Sequence, residues 1–328
     1  MESLGHKTFR GRQLFQWIWQ KGVKDFTEMT NLPKPLIETL QQECSLELTS
    51  VNQIQTSKTE GTSKFLINLN DGKLVETVLI PEGKRVTVCL SSQVGCALDC
   101  DFCATGKMGL KRNLSSGEIV DQLLHVRQFS NQPITNIVFM GMGEPFQNYE
   151  QVIKAAKILQ AEQGFAHGAR KITISTSGLA PIIKRFADDG HRYKLAVSLN
   201  ASDNISRTKI MPINKKWDID ELVKACKYYT QTSSNMMTFE YVLLAGINDS
   251  REDARRLRKI AGSVFCKLNV IPYNEVIAGY TRPSNNKISS FLELLKPAKF
   301  PVTVRWSQGN DIDAACGQLS TAALDQEN

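Results

Sequence analysis

From Arg85 to Trp306 the chain alternates short apolar, β-branched runs with longer amphipathic ones, and this alternation leaves few folds open. Strand character falls at Arg85 to Ser91, Asn136 to Met142, Lys171 to Thr176, Lys194 to Asn200, Thr238 to Leu244, Lys267 to Pro272 and Val302 to Trp306. Between them, Ser116 to Phe129, Gln151 to Gln160, Asp220 to Tyr229 and Glu252 to Ile260 carry apolar residues at helical spacing. Strand–helix repeats imply a parallel sheet of the α/β class with helices outside it. Such sheets carry their chemistry on loops at the carboxyl ends of the strands.

Two pieces precede this core. Residues 9 to 44 read as helical, with Phe9, Leu14, Trp17, Ile18, Leu36, Ile37 and Leu40 forming apolar faces around a break at Pro33 and Pro35. Trp17, in register with Leu14, reads as core; Trp19 reads equally as core or as an RNA-stacking surface beside Arg10, Arg12, Lys21 and Lys24. From Lys64 to Leu90 the period changes to strict alternation, with turns at Asn70-Asp71-Gly72 and Pro81-Glu82-Gly83, as in an antiparallel meander. The expected organisation is a helical accessory domain at 1–50, a β extension at 51–90, the α/β core at 91–310 and a C-terminal segment at 311–328.

Composition narrows the class further. With 328 residues, 41% of them hydrophobic, the chain can bury a large core. No apolar run reaches the roughly 18 residues of a membrane span, and the first residues lack a signal-peptide pattern, so a cytoplasmic protein with no membrane contact is expected. A net charge of +7 favours an anionic partner such as nucleic acid. Eight cysteines in a chain of this kind read as metal-binding or catalytic thiols, not as a disulfide framework.

Three of those cysteines, Cys96, Cys100 and Cys103, lie within eight residues, just after the strand that starts at Arg85. A cubane iron–sulfur cluster held by three thiolates keeps one iron free for a ligand, whereas a structural zinc site closes with four protein ligands. A zinc site completed by a distant cysteine such as Cys89 is the alternative. Phe102 would shield the cluster. Gly141-Met142-Gly143-Glu144-Pro145 closes the next strand, offering close backbone approach and a carboxylate for an ammonium group, although a tight turn alone also accounts for its glycines. Ser175, Ser198 to Asn200, and Asn274 recur at successive strand ends, where they could bind ribose hydroxyls and a carboxylate. Cys316 sits in a small-residue segment, Gly309 to Leu319, and reads either as a buried structural cysteine or as a thiol brought to the barrel mouth. Cys89, Cys44, Cys226 and Cys266 read individually as inert packing.

The Cys-x3-Cys-x2-Cys loop within Ser91 to Gly106, Gly-Met-Gly-Glu-Pro, Met-Pro-Ile-Asn at Met211 to Asn214, and Asp-Ile-Asp-Ala-Ala-Cys-Gly-Gln-Leu together resemble the RlmN/Cfr family of radical S-adenosylmethionine (SAM) RNA methyltransferases. The resemblance spans nearly the whole chain. It implies a partial (β/α)6 radical SAM barrel with a small N-terminal helical domain and a short antiparallel β extension. It also implies a 4Fe-4S cluster on Cys96, Cys100 and Cys103, with SAM held by Gly143, Glu144, Ser175, Ser198, Leu199, Asn200 and Asn274.

The same resemblance assigns roles the residues alone do not. Cys316 matches a thiol that SAM methylates; a deoxyadenosyl radical from a second SAM then activates it to add to an adenine of RNA. Cys89 matches the thiol that releases the product as a disulfide forms. Glu76, which by alternation reads as an exposed-face strand residue, matches the carboxylate that takes the adenine proton. The implied substrates are an adenosine of 23S rRNA and one beside the tRNA anticodon, methylated at C2. Pro145 resembles the RlmN branch, where Cfr proteins, which modify C8, commonly have alanine. A monomer served by an electron-donor protein such as flavodoxin or ferredoxin is expected. Asn200 departs from the histidine usual at that position. A non-catalytic, zinc-stabilised RNA-binding protein is the alternative from a different class.

Overall fold

The structure, a computed structural model, describes Met1, residues 5–46 and residues 48–321. Residues 322–328 of the C-terminal segment lie outside the described residues. The chain begins with helix α1 (Thr8–Phe15), which continues as a wider turn over Gln16–Lys21 and stops at Gly22 in the left-handed region. The helix therefore ends well before the prolines where the sequence pattern puts the break. A short turn at Phe26–Glu28 follows, closed by reciprocal Asp25 and Glu28 side-chain bonds. Helix α2 (Lys34–Glu43) then starts with Pro35 in its first turn, where a missing N–H costs little.

Phe26, Met29, Leu32, Leu36 and Leu40 form a small separate core, and Trp17 packs against it. The Trp17 indole donates to Asn31 Oδ1 at 2.6 Å, and Lys21 Nζ lies 3.3 Å from the ring centre. Trp19 instead packs on the large core of the remaining chain. Arg127 Nη2 also donates to the carbonyl of Gln20 at 3.1 Å.

One ten-stranded sheet organises everything else, in the spatial order β1 (Thr49–Thr56), β2 (Ser63–Leu69), β3 (Leu74–Glu82), β4 (Arg85–Cys89), β7 (Asn136–Phe139), β8 (Ile172–Thr176), β9 (Lys194–Ser198), β10 (Met237–Leu243), β11 (Cys266–Pro272) and β12 (Val302–Val304). The two short strands β5 (Gln93–Val94) and β6 (Arg112–Asn113) pair only with each other. Pairing is antiparallel from β1 to β4 and parallel from β4 to β12. Strand β4 thus belongs to both halves. The first turn falls at Asn70-Asp71-Gly72 as the sequence predicts, but Glu82 pairs with Arg85, which moves the second turn to Gly83-Lys84. Strand β1, polar and at the sheet edge, gives no alternating apolar signal, and its pairing slips by one residue between Val51 and Gln53.

Helices α3 (Ala104–Lys107), α4 (Ser116–Phe129), α5 (Tyr149–Gln160), α6 (Ala180–Asp188), α7 (Asn204–Ile210), α8 (Ile219–Ser233), α9 (Arg251–Ala261) and α10 (Asn285–Leu295) are the remaining α-helices among the described residues. Side chains at Ser115, Asp203, Asp218, Ser250 and Ser284 cap the starts of α4, α7, α8, α9 and α10. The six longer parallel strands, β4 and β7 to β11, are the expected partial barrel, with the three-residue β12 added at its edge. The barrel does not close by hydrogen bonds between β12 and β1. Instead the C-terminal segment returns toward β1–β3: Gly309 N–H donates to Glu60 at 2.6 Å, Thr62 bonds Gln308 at 3.3 Å, and Ser320 N–H donates to Glu76 at 2.8 Å.

Candidate active site

The carboxyl ends of β4, β7, β8, β9, β10 and β11 surround a cavity with about 1100 Å³ of non-protein space, mouth included. Cys96, Cys100 and Cys103 form part of its wall together with Phe102, Gly143, Glu144, Ser175, Ser198, Asn200, Asn274 and Cys316. Twelve of the thirteen site residues named from the sequence therefore reach this cavity or the layer behind it, and Leu199 is the exception. Leu199 is completely buried, and its carbonyl accepts Arg207 Nε at 3.0 Å.

The loop that presents the three thiols is held by buried polar residues. Ser91 Oγ donates to the carbonyl of Glu76 at 2.6 Å and accepts Met142 N–H at 2.8 Å; Gln122 Nε2 donates to the carbonyl of Ser91 at 3.0 Å. Gln93 Oε1 accepts Glu144 N–H at 2.8 Å, tying the cysteine loop to the Gly-Met-Gly-Glu turn. Both glycines of that turn are required by packing. A Cβ on Gly141 would lie 2.6 Å from Ser91 Oγ, and one on Gly143, whose φ is +97°, would lie 2.5 Å from Gln93 Cβ.

The donor set fits an iron–sulfur cluster. Burial is the largest force raising all three thiols above their ordinary value: Cys96 is pushed up to about 12, and Cys100 and Cys103 are also raised, with mutual repulsion adding to the effect at Cys100. Buried thiols of this kind ionise when a metal supplies positive charge. Among the described residues no three His, Cys, Asp or Glu side chains converge to hold a single ion. Three largely buried, mutually repelling thiols on one cavity wall suit a metal–sulfur group that keeps one position open. Replacing Cys100 with Ala is expected to yield colourless protein lacking bound iron and sulfide, checked by visible absorption and metal analysis after anaerobic reconstitution.

Glu144 fits the companion cofactor. It is 2% exposed, its Oε1 accepts Phe146 N–H at 3.0 Å, and its Oε2 accepts Ser177 N–H at 2.7 Å. Burial raises its pKa while these bonds oppose the rise. A buried carboxylate fixed at a cavity wall provides a counter-charge for an ammonium group such as the SAM amine.

Arg207, fully buried, secures the far side of the rim. It donates to Ser177 O at 2.8 Å, Ser198 O at 3.2 Å and Asn214 Oδ1 at 3.0 Å, which explains the Met-Pro-Ile-Asn segment as its anchor. Asn200 adopts a left-handed backbone, φ +54°, that asparagine tolerates well. Its Oδ1 accepts Val242 N–H at 2.9 Å and its Nδ2 meets Met211 Sδ at 3.3 Å, so this side chain braces β9 against β10. Asn274 likewise holds protein: its Nδ2 donates to Ser307 Oγ at 2.9 Å and to the Cys316 carbonyl at 3.1 Å. Ser175 Oγ donates to Phe139 O at 2.6 Å.

Cys316 is half-buried at the cavity, on a segment held by Ala104 N–H to Gly317 O (2.8 Å) and Thr105 Oγ1 to Leu319 O (2.6 Å). Cys89 lies behind it, 7% exposed; burial pushes its thiol up to about 12, with the Cys316 thiol adding and Arg305 opposing. All eight cysteines are free, so a Cys89–Cys316 disulfide is not a resting feature of the fold. Cys226 and Cys266 are buried as expected, but Cys44 is exposed just beyond α2. Glu76 also corrects its sequence assignment. It is 3% exposed, not solvent-facing, because the C-terminal segment covers it.

Lys64, Glu240 and Arg305 are polar residues that sequence reasoning missed. Glu240 and Arg305 line the cavity, and one Glu240 oxygen is buried without a partner. A charged residue inside an apolar strand was the available signal for Lys64 and Glu240, and Arg305 directly follows β12.

A partial barrel with three thiols and a buried glutamate at the carboxyl ends of its strands defines a radical SAM enzyme, and the sequence matches the Radical SAM superfamily over residues 90–257. Residues 1–46 match the ribosomal RNA large subunit methyltransferase N-terminal domain. A probable dual-specificity RNA methyltransferase RlmN of Clostridium beijerinckii is 42% identical over 328 residues, covering 100% of this chain and 93% of the relative. One from Akkermansia muciniphila is 43% identical over 96% of this chain and 90% of its own length. The crystal structure of a radical SAM methyltransferase from Sphaerobacter thermophilus superposes with a TM-score of 0.92 at 43% identity, covering 97% of this chain and 94% of that one. The chain belongs to the RlmN family of radical SAM methyltransferases. Its cofactors are accordingly a 4Fe-4S cluster and SAM, and the zinc alternative falls away.

Proposed function

We propose that this protein methylates C2 of a specific adenosine in 23S rRNA and of an adenosine beside the tRNA anticodon, acting as a cytoplasmic monomer supplied by a flavodoxin- or ferredoxin-type donor. The observation that carries the proposal is the meeting of Cys316 with the three-thiol wall, with Cys89 and Glu76 packed behind the same segment. Bound at this wall, the cluster and SAM provide the methyl group, hydrogen-atom abstraction and one-electron exchange.

Adenine C2 is an electron-poor carbon with no lone pair to attack a sulfonium methyl. A route through carbon carried on sulfur avoids that deficit. Cys316 accepts the methyl group on Sγ and, as an activated methylene, bonds to C2. Glu76 takes the C2 proton as the C–H bond breaks, and the one surplus electron of the adduct is taken up by the one-electron exchange that the bound cluster would supply. Cys89 then attacks Cys316 Sγ: the S–S bond forms, the S–CH2 electron pair moves to carbon, and that carbon takes a proton to become the methyl group. The Cys89 thiolate and the Cys316 thioether sulfur are oxidised to the disulfide as the methylene carbon is reduced by the same two electrons.

Pro145, directly after Glu144, favours the C2 branch over C8. Incubating the reconstituted enzyme, SAM and a reductant with rRNA fragments and tRNA transcripts, followed by mass mapping, is expected to find the added methyl on C2 of one adenosine in each. A methyl group on C8 would overturn the proposed regiochemistry, and unmodified tRNA would overturn dual specificity.

A further inference from the structure

Lys64, on β2, is only 9% exposed, an uncommon place for an ammonium group. Its Nζ lies 2.9 Å from Glu76 Oε1 and 3.4 Å from the carbonyl oxygen of Asp313. The other oxygen of the same carboxylate accepts Ser320 N–H at 2.8 Å. One buried cation therefore touches both Glu76 and the segment that presents Cys316. Buried ion pairs contribute little to stability compared with well-packed apolar residues, so stability gives weak reason to keep this one.

We propose that Lys64 is a positioning residue that keeps the Glu76 carboxylate ionised, and locked against the Cys316 segment, until it accepts the adenine proton. This rests on Glu76 being the proton acceptor. In that step the C–H bond of the adducted carbon breaks, its electron pair stays in the base, and the proton forms an O–H bond on Glu76. The surplus electron of the adduct would be taken up by the one-electron exchange that the iron–sulfur cluster supplies when bound. Burial opposes the ionised carboxylate most strongly; Lys64 favours it through charge and a hydrogen bond; Ser320 N–H also favours it, and the Asp313 carboxylate works against it. Without Lys64, burial and Asp313 are opposed only by Ser320, and the carboxyl holds its proton to higher pH.

The test uses full-length, cluster-loaded Lys64→Met, Lys64→Gln and Lys64→Arg, following RNA methylation from about pH 6 to about pH 9 together with covalent protein–RNA adduct and Cys316 methylation. In Lys64→Met and Lys64→Gln the acid limb is expected to move up by about one pH unit or more, roughly tenfold in rate on that limb. Adduct should accumulate, Cys316 should still be methylated, and Lys64→Arg should restore the limb. An unmoved limb, or joint loss of Cys316 methylation and adduct that Lys64→Arg does not restore, overturns the role of Lys64. Glu76→Gln separates the two ideas. Normal turnover in that variant overturns Glu76 as the acceptor, whereas lost turnover beside an unchanged Lys64→Met profile overturns only Lys64.

Discussion

Cys89→Ala should be recovered from cells covalently joined to RNA. In the proposed mechanism, bond formation between Cys316 and the adenine does not use the Cys89 sulfur whereas release of the product does, so removing that sulfur stops the reaction after the adduct. The variant should complete no more than one addition per protein molecule and return no free methylated RNA. Cys89 lies on β4 and outside the cavity wall, so the iron and sulfide content should match that of the unaltered protein. Nuclease digestion followed by intact-protein mass spectrometry reads the result as a residual nucleotide mass on Cys316. RNA-free protein with normal turnover would defeat the mechanism.

Cys316→Ala should fail one step earlier, with neither a methylated cysteine nor an adduct. Removing the atom that carries the transferred carbon leaves no parallel route, and the expected loss in turnover is on the order of a thousandfold or more, as for other covalent catalysts. Cluster absorption should be retained, because Cys96, Cys100 and Cys103 sit on a separately anchored loop. The double variant Cys89→Ala with Cys316→Ala should behave like Cys316→Ala alone, since a thiol that resolves an adduct has no substrate when no adduct forms. Adduct in the double variant, detected by the same mass measurement, would place the attachment on another residue.

The alternation of strand and helix, the cysteine loop and the Gly-Met-Gly-Glu turn were legible because each depends on neighbours within a few residues. Periodicity likewise puts Trp17 against the small helical core, where it is half-buried, and delimits α4 at its observed ends. The N-terminal helix stops at Gly22, whose left-handed conformation after Lys21 is a local stop signal that the apolar spacing resuming beyond it obscures. Strand β1 was weakly written because an edge strand needs backbone partners more than an apolar face.

Glu76, Lys64 and Asn200 show the other limit. Alternation placed Glu76 on an exposed face, since a strand's period reports which side a residue is on and not what later covers that side. The C-terminal segment, more than two hundred residues downstream, buries it and supplies Ser320 N–H. Asn200 and Asn274 were correctly sited at strand ends, yet their amides are engaged in bracing β10 and the Cys316 segment.

Local spacing and side-chain chemistry are enough to specify the parallel α/β core and the triple-thiol loop. That Cys316 meets the three-thiol wall, that Cys89 lies behind it and that Lys64 pairs with Glu76 emerges from the folded chain alone. Those relations arise from a barrel left open along one edge and bridged by its own C-terminal segment, and contacts across such chain separations leave no periodic trace in the residues that make them.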